Sequence, residues 1–171
     1  MTYADAGAEI SPCGMYRYIL WRLFSPLESG GRVLYWIMLN PSTADGNEDD
    51  ATIRKIARYS RAWGYAGLSV FNLFALRATD PRCLMRHPDP VGPENDRYLK
   101  MYCGGDCDII LAWGAHGCHL DRARMVVEQL RRTSSRLYVL GMTKKLQPKH
   151  PLYLPGDIRL IRFEENMLCG V

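Results

Sequence analysis

No stretch of this chain is apolar for the roughly 20 residues that a bilayer-spanning helix needs, which excludes a helical membrane anchor. The amino terminus, MTYADAGAEISPCG, lacks both the basic segment and the apolar segment of a secretory signal, so a cytoplasmic protein is expected. Six cysteines are present, at 13, 83, 103, 107, 118 and 169. With no export signal and a chain long enough to bury a core, they read as reduced thiols rather than a disulfide framework. Cys103 and Cys107, with Cys118 and His116 or His119 nearby, suggest a metal site. No second close cysteine pair completes a tetrahedral set, which argues against one. A strong excess of one charge is missing too: 22 Lys and Arg against 18 Asp and Glu leave +4, compatible with a polyanionic partner but shared by many ordinary enzymes.

What is present is an average globular composition, 47% hydrophobic and 23% charged over 171 residues, and a single domain spanning 1–171 is the expectation. Residues 15–24 alternate and are rich in aromatic and branched side chains. SPLESGGR then supplies turn chemistry before VLYWIMLN at 33–40, and the pair reads as a β-hairpin entering a sheet. The segment 52–63 has helical spacing with Gly64 at its end, and LSVFNLF at 68–74 reads as a strand covered on both faces. The proline-rich loop RATDPRCLMRHPDPVGP lacks periodicity. A helix begins near Pro93-Glu94-Asn95-Asp96, CDIILAWG at 107–114 is another buried strand, 118–132 is an amphipathic helix, 137–143 is a strand, and RLIRF at 159–163 adds a last one. Strands alternating with helices predict a three-layer α/β/α sandwich around a central, mostly parallel four-stranded sheet with the hairpin at its edge. Ligands of such sheets bind beyond the carboxyl ends of the strands.

Those ends carry the candidate chemistry. Asn40-Pro41-Ser42-Thr43-Ala44-Asp45 puts several polar atoms on one turn, although a structural βα turn has the same composition. Asn72 interrupts an otherwise buried run, and its amide needs partners that either a structural network or a ligand supplies. His150 lies in a loop stiffened by Pro148, Pro151 and Pro155.

The order of these pieces resembles the uracil-DNA glycosylase superfamily. Leu39-Asn40-Pro41-Ser42 is similar to its strand-end Asp-Pro or Asn-Pro motif, Val70-Phe71-Asn72-Leu73 to its base-reading Asn strand, IILAWGAHG to its third strand, and His150-Pro151-Leu152 to its His-Pro loop. More closely, LNPSTAD, WGYAGLSVFNLFALRATDP, DPVGPEND and KHPLYLP resemble a bacterial and phage domain-of-unknown-function family over nearly the whole chain. The departures are Asn at the acid position, KHPLYLP without the serine after His-Pro, and no iron–sulfur cysteine spacing.

The resemblance implies a DNA glycosylase that needs no metal or organic cofactor. It would flip a nucleotide out of the stack and hydrolyse its N-glycosidic bond, leaving an abasic site. It assigns Asn40 to orienting water and His150 to the leaving base. Asn72, Pro41, Ser42 and Phe74 fall at the base, and Leu152 and Tyr153 form a wedge. Because an amide is not a base, Asp45 becomes the candidate carboxylate, with helix entry as its structural alternative. Arg54, Arg77, Lys144, Lys145 and Lys149 are candidates for DNA contacts. Ser42 stands where uracil-specific enzymes carry a bulky aromatic, so a 5-substituted pyrimidine fits, such as hydroxymethylcytosine or its glucosylated form in phage DNA. That implies DNA as the partner, an antiviral role, no membrane and no obligate protein partner. The alternatives are a nucleoside hydrolase or transferase and a non-catalytic nucleic-acid-binding module.

Overall fold

The computed structural model describes residues 2–27, 30–42, 48–80, 82–164 and 167–168. Its strands are β1 (Asp5–Ile10), β2 (Arg17–Leu23), β3 (Val33–Met38), β4 (Gly67–Asn72), β5 (Asp108–Leu111), β6 (Arg136–Val139) and β7 (Ile161–Arg162). The helices are α1 (Ala51–Ala62), α2 (Arg82–Arg86), α3 (Asn95–Cys103) and α4 (Arg122–Arg131). All seven strands form one sheet in the order β1-β2-β4-β3-β5-β6-β7. The central strands β4, β3, β5 and β6 run parallel, while β1, β2 and β7 join antiparallel at the two edges. The sheet is therefore mixed and, with seven strands among the described residues, larger than the mostly parallel four-stranded sheet with an N-terminal edge hairpin expected from the sequence.

Burial follows the two-residue period of a strand. Leu34, Trp36 and Met38 of β3, Leu68 and Val70 of β4 and Ile110 of β5 pack against Ile53, Ile56 and Ala57 of α1. The alternate residues Ile37, Phe71, Ile109, Leu111 and Val139 pack against Leu99 and Cys103 of α3 and Val126, Val127 and Leu130 of α4. Helices thus cover both faces, as a chain alternating strands and helices requires.

Three sequence expectations change. Segment 15–24 does not form a hairpin with 33–40. The partners of β2 are β1 and β4, so β4 lies between β2 and β3. The proline-rich loop contains the short helix α2. The helix expected over 118–132 begins at Arg122, because Leu120 (φ 52°) and Asp121 (φ 56°) turn into the left-handed region and break it.

Candidate functional site

The connection from β3 leads to β4 on one side, whereas that from β5 leads to β6 on the other, so the chain reverses direction across the sheet between β3 and β5. At such a point the strand ends part and leave a crevice. Beside it, on the α1 side, is a polar cavity of about 160 Å³ whose walls include Arg17, Asn40, Ser42, Asp50, Asn72 and His150. Each arrives there for a local reason.

Asn40 and Asn72 continue the α1-facing registers Leu34-Trp36-Met38 and Leu68-Val70 by one further step of two. Asn40 Nδ2 donates to the carbonyls of Pro41 (3.0 Å) and Ala78 (2.7 Å), which commits both amide hydrogens and leaves Oδ1 as its acceptor. Asn72 is 1% exposed, and its Nδ2 has no hydrogen-bond partner among the described residues. An orphaned amide of this kind costs about 1–3 kcal/mol, so a ligand acceptor in the cavity would recover what the empty fold gives up. The end of β4 is held from behind by Asn95 Nδ2, which donates to the carbonyls of Asn72 (3.0 Å) and Leu73 (3.1 Å), and by buried Arg122, whose Nε donates to Leu73 O (2.8 Å).

Asp50 is the N-cap of α1. Its Oδ1 accepts from Ile53 N at 2.8 Å, and its Oδ2 accepts from Ser42 Oγ at 3.0 Å. The cap therefore carries a carboxylate to the cavity wall.

His150 is half-buried, and its Nδ1 accepts from Leu152 N at 3.3 Å. That bond assigns the proton of the neutral ring to Nε2 and makes it a donor. Burial lowers the His150 pKa below its usual value, against the opposing pull of Asp50, and so favours the neutral ring. Its loop is tied to the strand ends: Gly114 N donates to Pro148 O (2.9 Å), Lys149 N to Gly141 O (2.9 Å), and Trp113 Nε1 to the buried Gln147 Oε1 (2.9 Å).

Arg17 and Asp50 were missed by sequence reasoning. Arg17 is 3% exposed, and burial lowers its pKa to about 10 while Asp50 pulls it back up. The register between β1 and β2 shifts at Glu9/Ile10, where Ile19 pairs with Glu9 but Arg17 pairs with Ile10. This bulge puts the successive residues Tyr18 and Ile19 in the same core and turns Arg17 toward the cavity. No local pattern announces such a bulge, whereas Asp50 just ahead of a helical run was a readable cap signal.

Asn40, Ser42, Asn72 and His150 are brought together as the sequence predicts. Asp45 lies outside the described residues. Pro41 is buried beside the cavity, and its carbonyl accepts from Ala78 N at 3.0 Å. Phe74 corrects the expectation. It is wholly buried in the core on the α3/α4 side, with its ring 5.5 Å from that of His119, and does not face the cavity. Arg77 is half-buried and donates to Gly14 O at 3.0 Å, which ties it to the turn before β2. Arg54, Lys144, Lys145 and Lys149 are exposed, Leu152 is partly so, and Tyr153 protrudes at 90% exposure. Among the described residues no three His, Cys, Asp or Glu side chains gather as metal ligands, and no helix is long and apolar enough to cross a membrane.

The chain matches no curated protein and no solved structure. A family model described as a protein of unknown function, DUF1643, matches residues 17–152, from Arg17 in the cavity wall to Leu152 beyond His150. The match brings no activity with it and does not join the chain to the uracil-DNA glycosylases. Covering most of the sequence, it does establish that the chain belongs to the DUF1643 family.

Proposed function

We propose that the protein is a DNA N-glycosylase, related in plan to the uracil-DNA glycosylases, that removes a 5-substituted pyrimidine and leaves an abasic site. The observation that carries this reading is the buried Asn72 amide, whose Nδ2 has no partner among the described residues, in a cavity that also holds a carboxylate, a histidine that burial favours as neutral and a buried cation. Asn72 Nδ2 would donate to a carbonyl oxygen of the flipped base. The C1′–N bond breaks with its electron pair going to the base, and His150 Nε2–H and Arg17 stabilise that negative charge. Asp50 stabilises the developing sugar cation and accepts the proton of the water that adds to C1′. Asn40 Oδ1 orients that water. The small Ser42 side chain leaves room at the pyrimidine 5-position, and hydroxymethylcytosine or its glucosylated form is the proposed target class. Tyr153, standing out of the His150 loop, acts as the wedge that fills the vacated stack.

The test is abasic-site formation, read as strand cleavage after alkali, on DNA containing cytosine, uracil, hydroxymethylcytosine or glucosylated hydroxymethylcytosine. Cleavage confined to one or more modified DNAs supports the reading. If no DNA gains abasic sites while free nucleosides are split, a nucleoside hydrolase replaces it. If nothing is split but DNA is bound, the domain is a non-catalytic binding module.

A further inference from the structure

The first turn of α1 serves two depressions at once. Asp50, Thr52 and Ile53 line the polar cavity, while Ala51, Arg54 and Lys55 begin a second, larger groove of about 580 Å³. That groove continues along the helix past Arg58 to Gly156 on the far side of the His150 loop. Residues 51, 54, 58 and 62 follow one another at steps of three and four, so they form one stripe, with alanine at either end and arginine between.

The wall opposite the stripe is the loop after His150, and it is fastened to α1. Lys55 Nζ donates to the carbonyls of Leu152 (2.8 Å) and Leu154, and Tyr59 Oη donates to Pro155 O (2.6 Å). Lys55 is thus committed to building the wall. Arg54 and Arg58 are exposed. Arg54 gives one guanidinium nitrogen to Asp49 O, and Arg58 makes no hydrogen bond or ion pair among the described residues. No carboxylate is among the residues lining the groove. The two arginines stand about 5–6 Å apart at their Cβ atoms on one helix face, and neither forms an ion pair with a carboxylate among the described residues.

We propose that this groove holds the phosphodiester backbone of the strand whose nucleotide enters the cavity, with Arg54 and Arg58 as the phosphate contacts. The proposal rests on the glycosylase reading for its choice of strand. Charge complementarity and continuity carry it: an extended, cation-lined channel begins on the same helical turn as the cavity, and its other wall is the loop that carries His150 and the exposed Tyr153. A guanidinium suits a phosphate because its planar fork donates two parallel hydrogen bonds.

The experiment is fluorescence anisotropy of labelled single- and double-stranded oligonucleotides over a range of salt concentrations, which needs no base release. Each phosphate contact adds about 0.7–0.9 to the slope of log affinity against log salt, so the R54Q/R58Q variant should flatten that slope by about 1–2 and bind about 10-fold more weakly at low salt. The pair K100Q/R132Q, which removes the same charge from the distant ends of α3 and α4, should leave the slope unchanged. R58Q alone should flatten it by about half as much, and since that exposed side chain makes no hydrogen bond or ion pair among the described residues, its result stands even if the double variant is unstable. An unchanged slope in R58Q and R54Q/R58Q, or an equal loss in K100Q/R132Q, overturns the proposal. Groove-dependent binding by a protein that releases no base would keep the groove and remove the glycosylase reading. Base release without groove dependence would do the reverse.

Discussion

At the scale of single residues the cavity is a place where stability has been given up. Asn72 keeps a buried donor unsatisfied among the described residues, so Asn72→Ala should melt no lower than the wild type while base release falls about 10²-fold, the usual effect of losing one preorganised contact. A melting point several degrees lower would show instead that the amide is part of the scaffold. Asp50 holds α1 with one oxygen and meets Ser42 with the other. Asparagine caps a helix about as well as aspartate but accepts no proton. Asp50→Asn should therefore keep the helix cap while lowering kcat by about 10²–10⁴, and, because it removes the charge that supports buried Arg17, it should also lower thermal stability. Equal activity of the two forms would remove Asp50 from the chemistry. Ser42→Tyr should selectively slow release of bases carrying a 5-substituent, and a parallel loss on unsubstituted bases would show that size at this position does not discriminate.

At the scale of elements, the site is as rigid as the strand ends that bear it. The carbonyls of Asn72 and Leu73 are served by the Asn95 amide, with Arg122 sharing the second. Asn95→Ala strips one buried acceptor of its side-chain partner and should cost about 2 kcal/mol, a fall of about 4–8 °C in Tm for a chain of this size. Heat denaturation followed by circular dichroism measures it, and an unshifted transition would mean that Arg122 alone suffices. The DPVGPEND segment was legible as a helix start, but its amide acts on a strand end more than 20 residues earlier in the chain, and only folding reveals that. The hairpin expectation failed because 5–10, DAGAEI, is too small and acidic to read as a strand, yet it supplies the partner of β2.

For the whole molecule, two groups among the described residues contribute to the response to acid. His150 titrates below its usual 6.5 when folded, so the unfolded chain binds the proton first, and stability falls as pH drops from about 6.5 toward the folded value. Asp108, buried at the start of β5, would be raised by burial alone. Hydrogen bonds from Arg136 (2.6 Å) and Tyr65 (3.0 Å), with Arg32 nearby, hold it below the usual carboxylate value instead. Its contribution is complete above the unfolded pKa and is lost as pH falls through the folded one. Urea midpoints taken between about pH 8 and about pH 3 should therefore fall in two stages. His150→Gln should remove the upper stage and Asp108→Asn should weaken the lower. A midpoint that is flat across the upper range in the wild type would contradict the buried, neutral His150.

The class of fold was legible along the chain, since alternating strands and amphipathic helices bury their apolar faces as a sheet covered by helices. Strand-end reasoning also brought Asn40 and Asn72 to one edge of the sheet, and the family resemblance added His150, which lines the same cavity. Tertiary structure alone decided the rest, for reasons that are not local. The order of strands placed β4 between β2 and β3. A bulge in the β1–β2 pairing turned Arg17 to the cavity face, the cap of α1 brought Asp50 across to Ser42, and the chain beyond β4 sent Phe74 into the opposite core. A side chain's type and spacing are written along the chain. Which face it takes after a bulge or a turn depends on partners far away in sequence, and those partners are chosen only when the sheet assembles.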